Sequence, residues 1–116
     1  MFFPANYKQG DLDKFLDKAI KISCDADTVY SCIEIFYSNN LMEQGIVFCE
    51  RNLKSVKDNN SKGYLNYYLS QLYVLCRGDR EKAAKAISDA QKCFKKTDNK
   101  NWYNQCETLR SDMLGE

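Results

Sequence analysis

Two stretches of this chain begin with the same Gly-Asp-x-acid-Lys order and continue with helix-forming residues: GDLDKFLDKAIKISC from residue 10 and GDREKAAKAISDAQKC from residue 78, 68 residues apart. A 116-residue chain that repeats one element over that distance has room for only a few copies of a single unit, and such copies must stack on one another to bury their apolar faces. The apolar residues recur at helical spacing throughout. Leu12, Phe15, Leu16, Ala19 and Ile20 form the first stripe, Val29, Cys32, Ile33 and Phe36 the second, and Met42, Ile46, Cys49 and Leu53 the third. Leu65, Leu69, Leu72 and Cys76 follow, then Ala83, Ala86, Ile87 and Ala90, and finally Trp102, Cys106, Leu109 and Met113. With one Pro and five Gly, the spacing predicts six helices near 11–24, 27–38, 41–57, 62–77, 79–96 and 100–114. The breaks between them are DAD, SNN, KDNNSKG, RGD and TDNKN. In RGD, Gly78 reads as a helix stop and Asp79 as the following N-cap.

The separation of 68 is twice 34, the period of the tetratricopeptide helix pair, and a middle copy lies between the two stretches. NNLMEQGIVFCERNLK, from Asn39, resembles the second helix of a tetratricopeptide repeat, with Gly45 and Asn52 at the small positions and Cys49 at the bulky one. In the last copy these positions are Ala83, Ala90 and Ile87; in the first, Phe15 and Ala19 depart from the pattern. The resemblance implies an all-α, tetratricopeptide-like array of six helices in antiparallel αα-hairpins, forming a single domain over 1–116. In that register the three first-type helices carry Tyr-x-x-x-acid or amide: Tyr30 with Glu34, Tyr67 with Gln71, and Tyr103 with Glu107. Residues four apart share a helix face, and in tetratricopeptide-like proteins these positions tend to line the concave surface that receives a ligand. Tyr37 lies one turn beyond Glu34, and Tyr64 one turn before Tyr67. The same tyrosines could instead pack between helices with their hydroxyls in water.

Six cysteines are distributed over the helices. Antiparallel helices face each other at positions equidistant from the turn that joins them, which nests Cys24 with Cys32, Cys49 with Cys76 and Cys93 with Cys106. The Cys24-x7-Cys32 spacing resembles the cysteine-rich tetratricopeptide-like proteins of bacteria, a partial resemblance that the two wider pairs do not share. The expectation is a disulfide-stapled array; buried free thiols are the alternative.

The chain contains no His, which removes Ser-His-Asp and Cys-His nucleophile arrangements and any His-ligated metal. It has no C-x-x-C and no glycine-rich phosphate loop, so neither a metal nor a cofactor is expected. Asp13 and Asp17 share a helix face and read as a solvated one rather than a catalytic pair. Seventeen basic and sixteen acidic residues are interspersed, without the basic block that would track nucleic acid. No apolar run approaches the roughly 18 residues that span a bilayer. The expected function is therefore that of a non-enzymatic protein-binding module. One form is an extracytoplasmic inhibitor, such as an immunity protein against a secreted bacterial toxin, with its targeting segment outside this chain. The other is a cytosolic adaptor or chaperone that recognises a peptide, and a third reading makes the chain part of a longer array.

Overall fold

The structure, a computed structural model, describes residues 9–115. Among these residues the fold is all-α, with no strand: α1 (Gln9–Ile22), α2 (Ala26–Ser38), α3 (Met42–Ser55), α4 (Asn59–Leu72), α5 (Arg80–Lys96) and α6 (Lys100–Leu114). A single π-helical turn, Tyr73–Arg77, prolongs α4.

Four helices start at side-chain caps, while α3 starts after Leu41 with no side-chain cap bond. Asp25, Asp58, Asp79 and Asn99 cap α2, α4, α5 and α6, each side chain accepting a bond from the backbone N–H three residues on. Left-handed residues turn the chain at three breaks: Asn40 at φ 58°, Gly78 at φ 61° and Asp98 at φ 55°. The stop and cap expected at Gly78 and Asp79 are therefore present. Expectation and structure part at α4, which starts at Asn59 and not at 62. The Asp58 carboxylate accepts from the backbone N–H of Ser61, drawing a segment that reads as a loop into the first helical turn.

Each helix packs on the next, and α1 also packs on α3 and α2 on α4. Residues of the stripes read from the sequence form much of the interior: Leu12, Leu16, Ile20, Val29, Phe36, Ile46, Leu65 and Leu72 fill one cluster, and Ile87, Ala90 and Cys106 a second; Phe48 and Phe94, outside those stripes, are fully buried in the first and second clusters. Ala83, Ile87 and Ala90 are fully buried, as are Cys49 and, almost wholly, Asn52. Phe15 is 42% exposed, in keeping with its departure from the repeated pattern.

The 34-residue interval is visible in tertiary bonds as well as in sequence. Arg51 of α3 donates from Nε and Nη2 to the carboxylate of Asp17 on α1, at 3.1 and 3.0 Å, from 34 residues away. Arg77 and Glu43 are again 34 apart and paired at 2.7 Å, and Arg80 Nη2 donates to the Leu114 carbonyl across the same interval. Hydroxyls repeat a second interval of 37: Ser61 donates to the Cys24 carbonyl and Thr97 to Asn60 Oδ1.

Two glycines mark close approaches. A Cβ on Gly45 would stand 3.2 Å from Leu72 and 3.3 Å from Phe36. At Gly63, a Cβ would collide with the Phe94 ring, so α4 and α5 meet there with the ring lying directly on the α4 backbone. Gly63, which in sequence looks like part of a helix break, is a packing residue inside α4.

The disulfide staples are not formed: all six cysteines are free thiols. Cys49 is fully buried in the first cluster, whereas its expected partner Cys76 sits in the π turn, its Sγ donating to Glu43 Oε1 at 3.3 Å. Cys24, between α1 and α2, and Cys32, inside α2, stay unbonded, as do Cys93 of α5 and Cys106 of α6. Burial, which disfavours a thiolate, pushes the Cys32 and Cys106 thiols up to about 12 and raises Cys49 as well.

Two predictions follow from the packing and the thiols. Gly63→Ala should destabilise by roughly 1–3 kcal/mol, because Phe94 must leave its place over α4; an unchanged urea midpoint would show that the two helices do not meet this closely. The thiols give a pH dependence. Their folded values lie above the roughly 8.5 of an unfolded cysteine, so their contribution is complete below about pH 8.5 and is lost as pH rises toward 12. Stability should fall over that window by about 1.4 kcal/mol per pH unit for each thiol ionised only in the unfolded chain. A denaturation midpoint that stays level to pH 10.5 would contradict this.

Candidate functional site

On the outer face of α2, Tyr30, Ile33, Glu34 and Tyr37 occupy positions i, i+3, i+4 and i+7, one continuous stripe. The facing stripe has the same spacing: Tyr68, Gln71 and Leu72 of α4, and Leu75 of the π turn. Together they line a groove of about 320 Å³. Each wall residue on α2 has its counterpart 38 residues later. The π turn carries Leu75 onto the groove, 59% exposed, while its last residues, Cys76 and Arg77, reach back to Glu43 of α3.

The groove is aromatic and apolar on its walls and acidic at one point. Tyr30 and Tyr37 are 50% and 53% exposed. The Tyr30 ring rests against Tyr68 with centroids 5.9 Å apart. The Glu34 carboxylate, one turn away, raises the Tyr30 phenol above its usual value; burial pushes the Tyr68 phenol up to about 12. Both hydroxyls are therefore neutral donors at physiological pH.

From Tyr68 the aromatic contacts continue toward the C-terminal end. Tyr68 meets Tyr67 edge-on at 5.0 Å, Tyr67 meets Trp102 at 5.1 Å, and Trp102 meets Tyr64 at 5.1 Å and Phe94 at 5.8 Å. Edge-to-face pairs at these separations stabilise beyond their burial alone. The pairs Tyr30–Tyr68 and Tyr64–Trp102 are each separated by 38 residues, the same stagger as the groove walls.

The structure thus brings four of the eight expected partner-binding residues, Tyr30, Glu34, Tyr37 and Gln71, into one groove. It places the others elsewhere. Tyr64 and Tyr67 are partly buried in the aromatic row, where their rings hold α4 to α6. Tyr103 lines a separate cleft of about 270 Å³ with Phe94, Lys95, Asp98, Asn99 and Lys100. Glu107 accepts a hydrogen bond from Gln91 Nε2 at 2.8 Å and so is turned toward α5. Aligning the three Tyr-x-x-x-acid motifs matched Tyr30 with Tyr67 and Tyr103, whereas the spatial repeat runs Tyr30 to Tyr68 and Tyr64 to Trp102. Tyr68 and Leu75 were missed for that reason; an i, i+3, i+4, i+7 count from residue 68 is the signal that finds them.

The Asp13 and Asp17 carboxylates have different surroundings. Asp17 is held by Arg51 and by Asn52 Nδ2 at 2.9 Å, tying α1 to α3. Burial raises the Asp13 carboxyl, and Asp13 Oδ1 has no hydrogen-bond partner among the described residues. No group of three or more Cys, Asp or Glu arranged to hold a metal ion occurs among the described residues, and none of their helices is long and apolar enough to cross a membrane.

No family model, curated protein or solved structure matches the chain.

The position of Tyr67 generates a prediction. Replacing it with Ala removes edge contacts to both Tyr68 and Trp102 and should lower stability by about 3–5 kcal/mol, as truncation of a large packed aromatic does. Thermal unfolding followed by Trp102 fluorescence measures it; a variant as stable as the parent would return Tyr67 to the set of free binding residues.

Proposed function

We propose that this chain is a non-enzymatic, tetratricopeptide-like protein-binding module, and that it takes an extended segment of a partner protein in the α2–α4 groove. The observation that carries the reading is the pair of matched stripes, Tyr30/Ile33/Glu34/Tyr37 and Tyr68/Gln71/Leu72/Leu75, which leave Tyr30, Tyr37 and Leu75 in solvent above the buried Ile33 and Leu72. Exposed tyrosines around an apolar floor are the composition of protein-recognition surfaces, since each ring offers wide contact area with few rotors to freeze. Glu34 and Gln71 flank the rings, so the segment that fits carries apolar side chains beside a basic or amide group. The recurrence of salt bridges and hydroxyl bonds at 34 and 37 residues supports the repeat architecture on which the reading rests.

Two settings were expected for such a module, and the thiols bear on the choice. Six free cysteines, three of them buried, support the cytosolic adaptor in a reducing compartment. An extracytoplasmic inhibitor stapled by disulfides would need Cys76 to leave Glu43 and the π turn to refold toward the buried Cys49. Counting alkylatable thiols in protein purified from its native cells separates the two: six support the adaptor, and none supports the inhibitor.

The groove itself is tested by crosslinking and recovery of partners with the parent chain and with Tyr37→Ala. Tyr37 is half-exposed at the rim, so its removal should leave helicity and unfolding temperature unchanged while weakening the partner by about 2 kcal/mol, the cost of a hot-spot aromatic. Equal affinity in the two proteins would move the interface away from this groove.

A further inference from the structure

Helix α4 has a second working face, turned away from the groove. Asn66, Leu69 and Tyr73 recur at three- and four-residue spacing on the side roughly opposite Tyr64, Tyr68, Gln71 and Leu75. They form the floor of a larger cavity, about 540 Å³, walled by Glu50, Leu53 and Lys54 of α3 and by Lys82, Lys85, Ala86 and Asp89 of α5. This volume lies within the range of small-molecule sites.

Asn66 is the informative residue. It is only 9% exposed, lines the cavity, and its side-chain amide forms no hydrogen bond with any described residue. Its amide atoms reach the open cavity, since Asp13 Oδ1 is the only wholly buried side-chain polar atom without a partner among the described residues, so a ligand there would take the place of water on the amide. The other buried polar side chains nearby are engaged: Asn52 donates to Asp17 and to the Phe48 carbonyl, Ser61 donates to the Cys24 carbonyl, and Ser70 donates to the Tyr67 carbonyl. Asn66 alone presents two N–H donors and a carbonyl to an open cavity.

The charges around it fix the sign of a ligand. Both carboxylates at the wall already have partners: Asp89 accepts from Lys85 Nζ at 3.0 Å and Glu50 from the Tyr73 hydroxyl at 2.7 Å. Burial and the neighbouring Glu50 keep the Tyr73 phenol protonated by raising it well above its ordinary value. Of the three ammonium groups, Lys85 is paired, whereas Lys82 lies over the Tyr73 ring at 5.8 Å and Lys54 has no carboxylate partner among the described residues. The surplus is positive, and Leu53, Leu69 and Ala86 supply an apolar bed beside it.

The geometry points to a binding site for a small organic anion, a carboxylate or phosphate ester with an apolar body, whose acidic group is bound by the Asn66 amide and the Lys54 and Lys82 ammonium groups. The body of the ligand lies on Leu53, Leu69 and Ala86. This site is independent of the α2–α4 groove, since it uses the other face of α4 and none of the groove residues.

The test is an NMR titration of the full chain at fixed ionic strength with benzoate, phenyl phosphate and the neutral analogue benzyl alcohol. At least one anion should shift the Asn66 side-chain NH2 and the Lys82 and Ala86 amides saturably, with benzyl alcohol binding at least tenfold more weakly. Whichever anion saturates distinguishes a carboxylate site from a phosphate site. Asn66→Leu should lose at least tenfold in affinity with its unfolding temperature little changed, because the amide makes no hydrogen bond within the described chain that the substitution would break. The double variant Lys54→Gln/Lys82→Gln changes only exposed side chains and should also lose at least tenfold, which decides the matter should Asn66→Leu fail to fold. No saturable shift with either anion, benzyl alcohol binding as well as the anions, or unchanged affinity in a folded variant overturns the site.

Discussion

The meeting of α4 and α5 at Gly63 is the contact on which the rest of the arrangement depends. With no Cβ at that point, the Phe94 ring lies on the α4 backbone and the two helices come closer than any larger residue would allow. Phe94 then carries Tyr64 and Trp102 against it, so the same contact seats α6. It also fixes the orientation of α4 about its own axis. One face of α4 turns toward α2 and makes the aromatic groove; the other turns between α3 and α5 and makes the floor of the cavity around Asn66.

Two kinds of long-range contact repeat along the chain, and their difference has a physical meaning. Side-chain bonds recur at 34 residues, where Arg51 meets Asp17 and Arg77 meets Glu43. Ring pairs on the α2, α4 and α6 side recur at 38. An offset of four residues is about one helical turn, so the ring contacts sit one turn out of step with these side-chain bonds. That stagger lets each ring lie beside its neighbour instead of directly opposite it, and it yields edge and tilted pairs rather than flat stacks.

Polar contacts at the helix ends divide into those that set local structure and those that join units. Asp25, Asp58, Asp79 and Asn99 act within three residues and determine where helices begin. Asp17 and Glu43 act between helices. Glu43, paired with Arg77 and accepting from Cys76, has its carboxyl lowered to about 2, mainly by the Arg77 hydrogen bond, and it holds the π turn to α3. The three buried thiols belong to neither set: Cys32, Cys49 and Cys106 behave as small apolar core residues.

The sequence by itself determined the helix count, most of the boundaries and the buried stripes, because apolar periodicity and capping act over a few residues and need no knowledge of neighbours. It also carried the 34-residue recurrence and four of the groove residues, since Tyr30, Glu34, Tyr37 and Gln71 lie on faces that a wheel identifies. What it could not determine is how far one helix slides and rotates against the next. Two helices fit equally well in registers one turn apart until particular side chains meet, and the choice here falls to Phe94 over Gly63 and to Arg51 on Asp17. That choice paired Tyr30 with Tyr68 in place of Tyr67, put Trp102 in the aromatic row and Tyr103 in another cleft, and separated Cys76 from Cys49. It also left Asn66 facing a cavity, a property that no local pattern encodes because it is made by three helices at once.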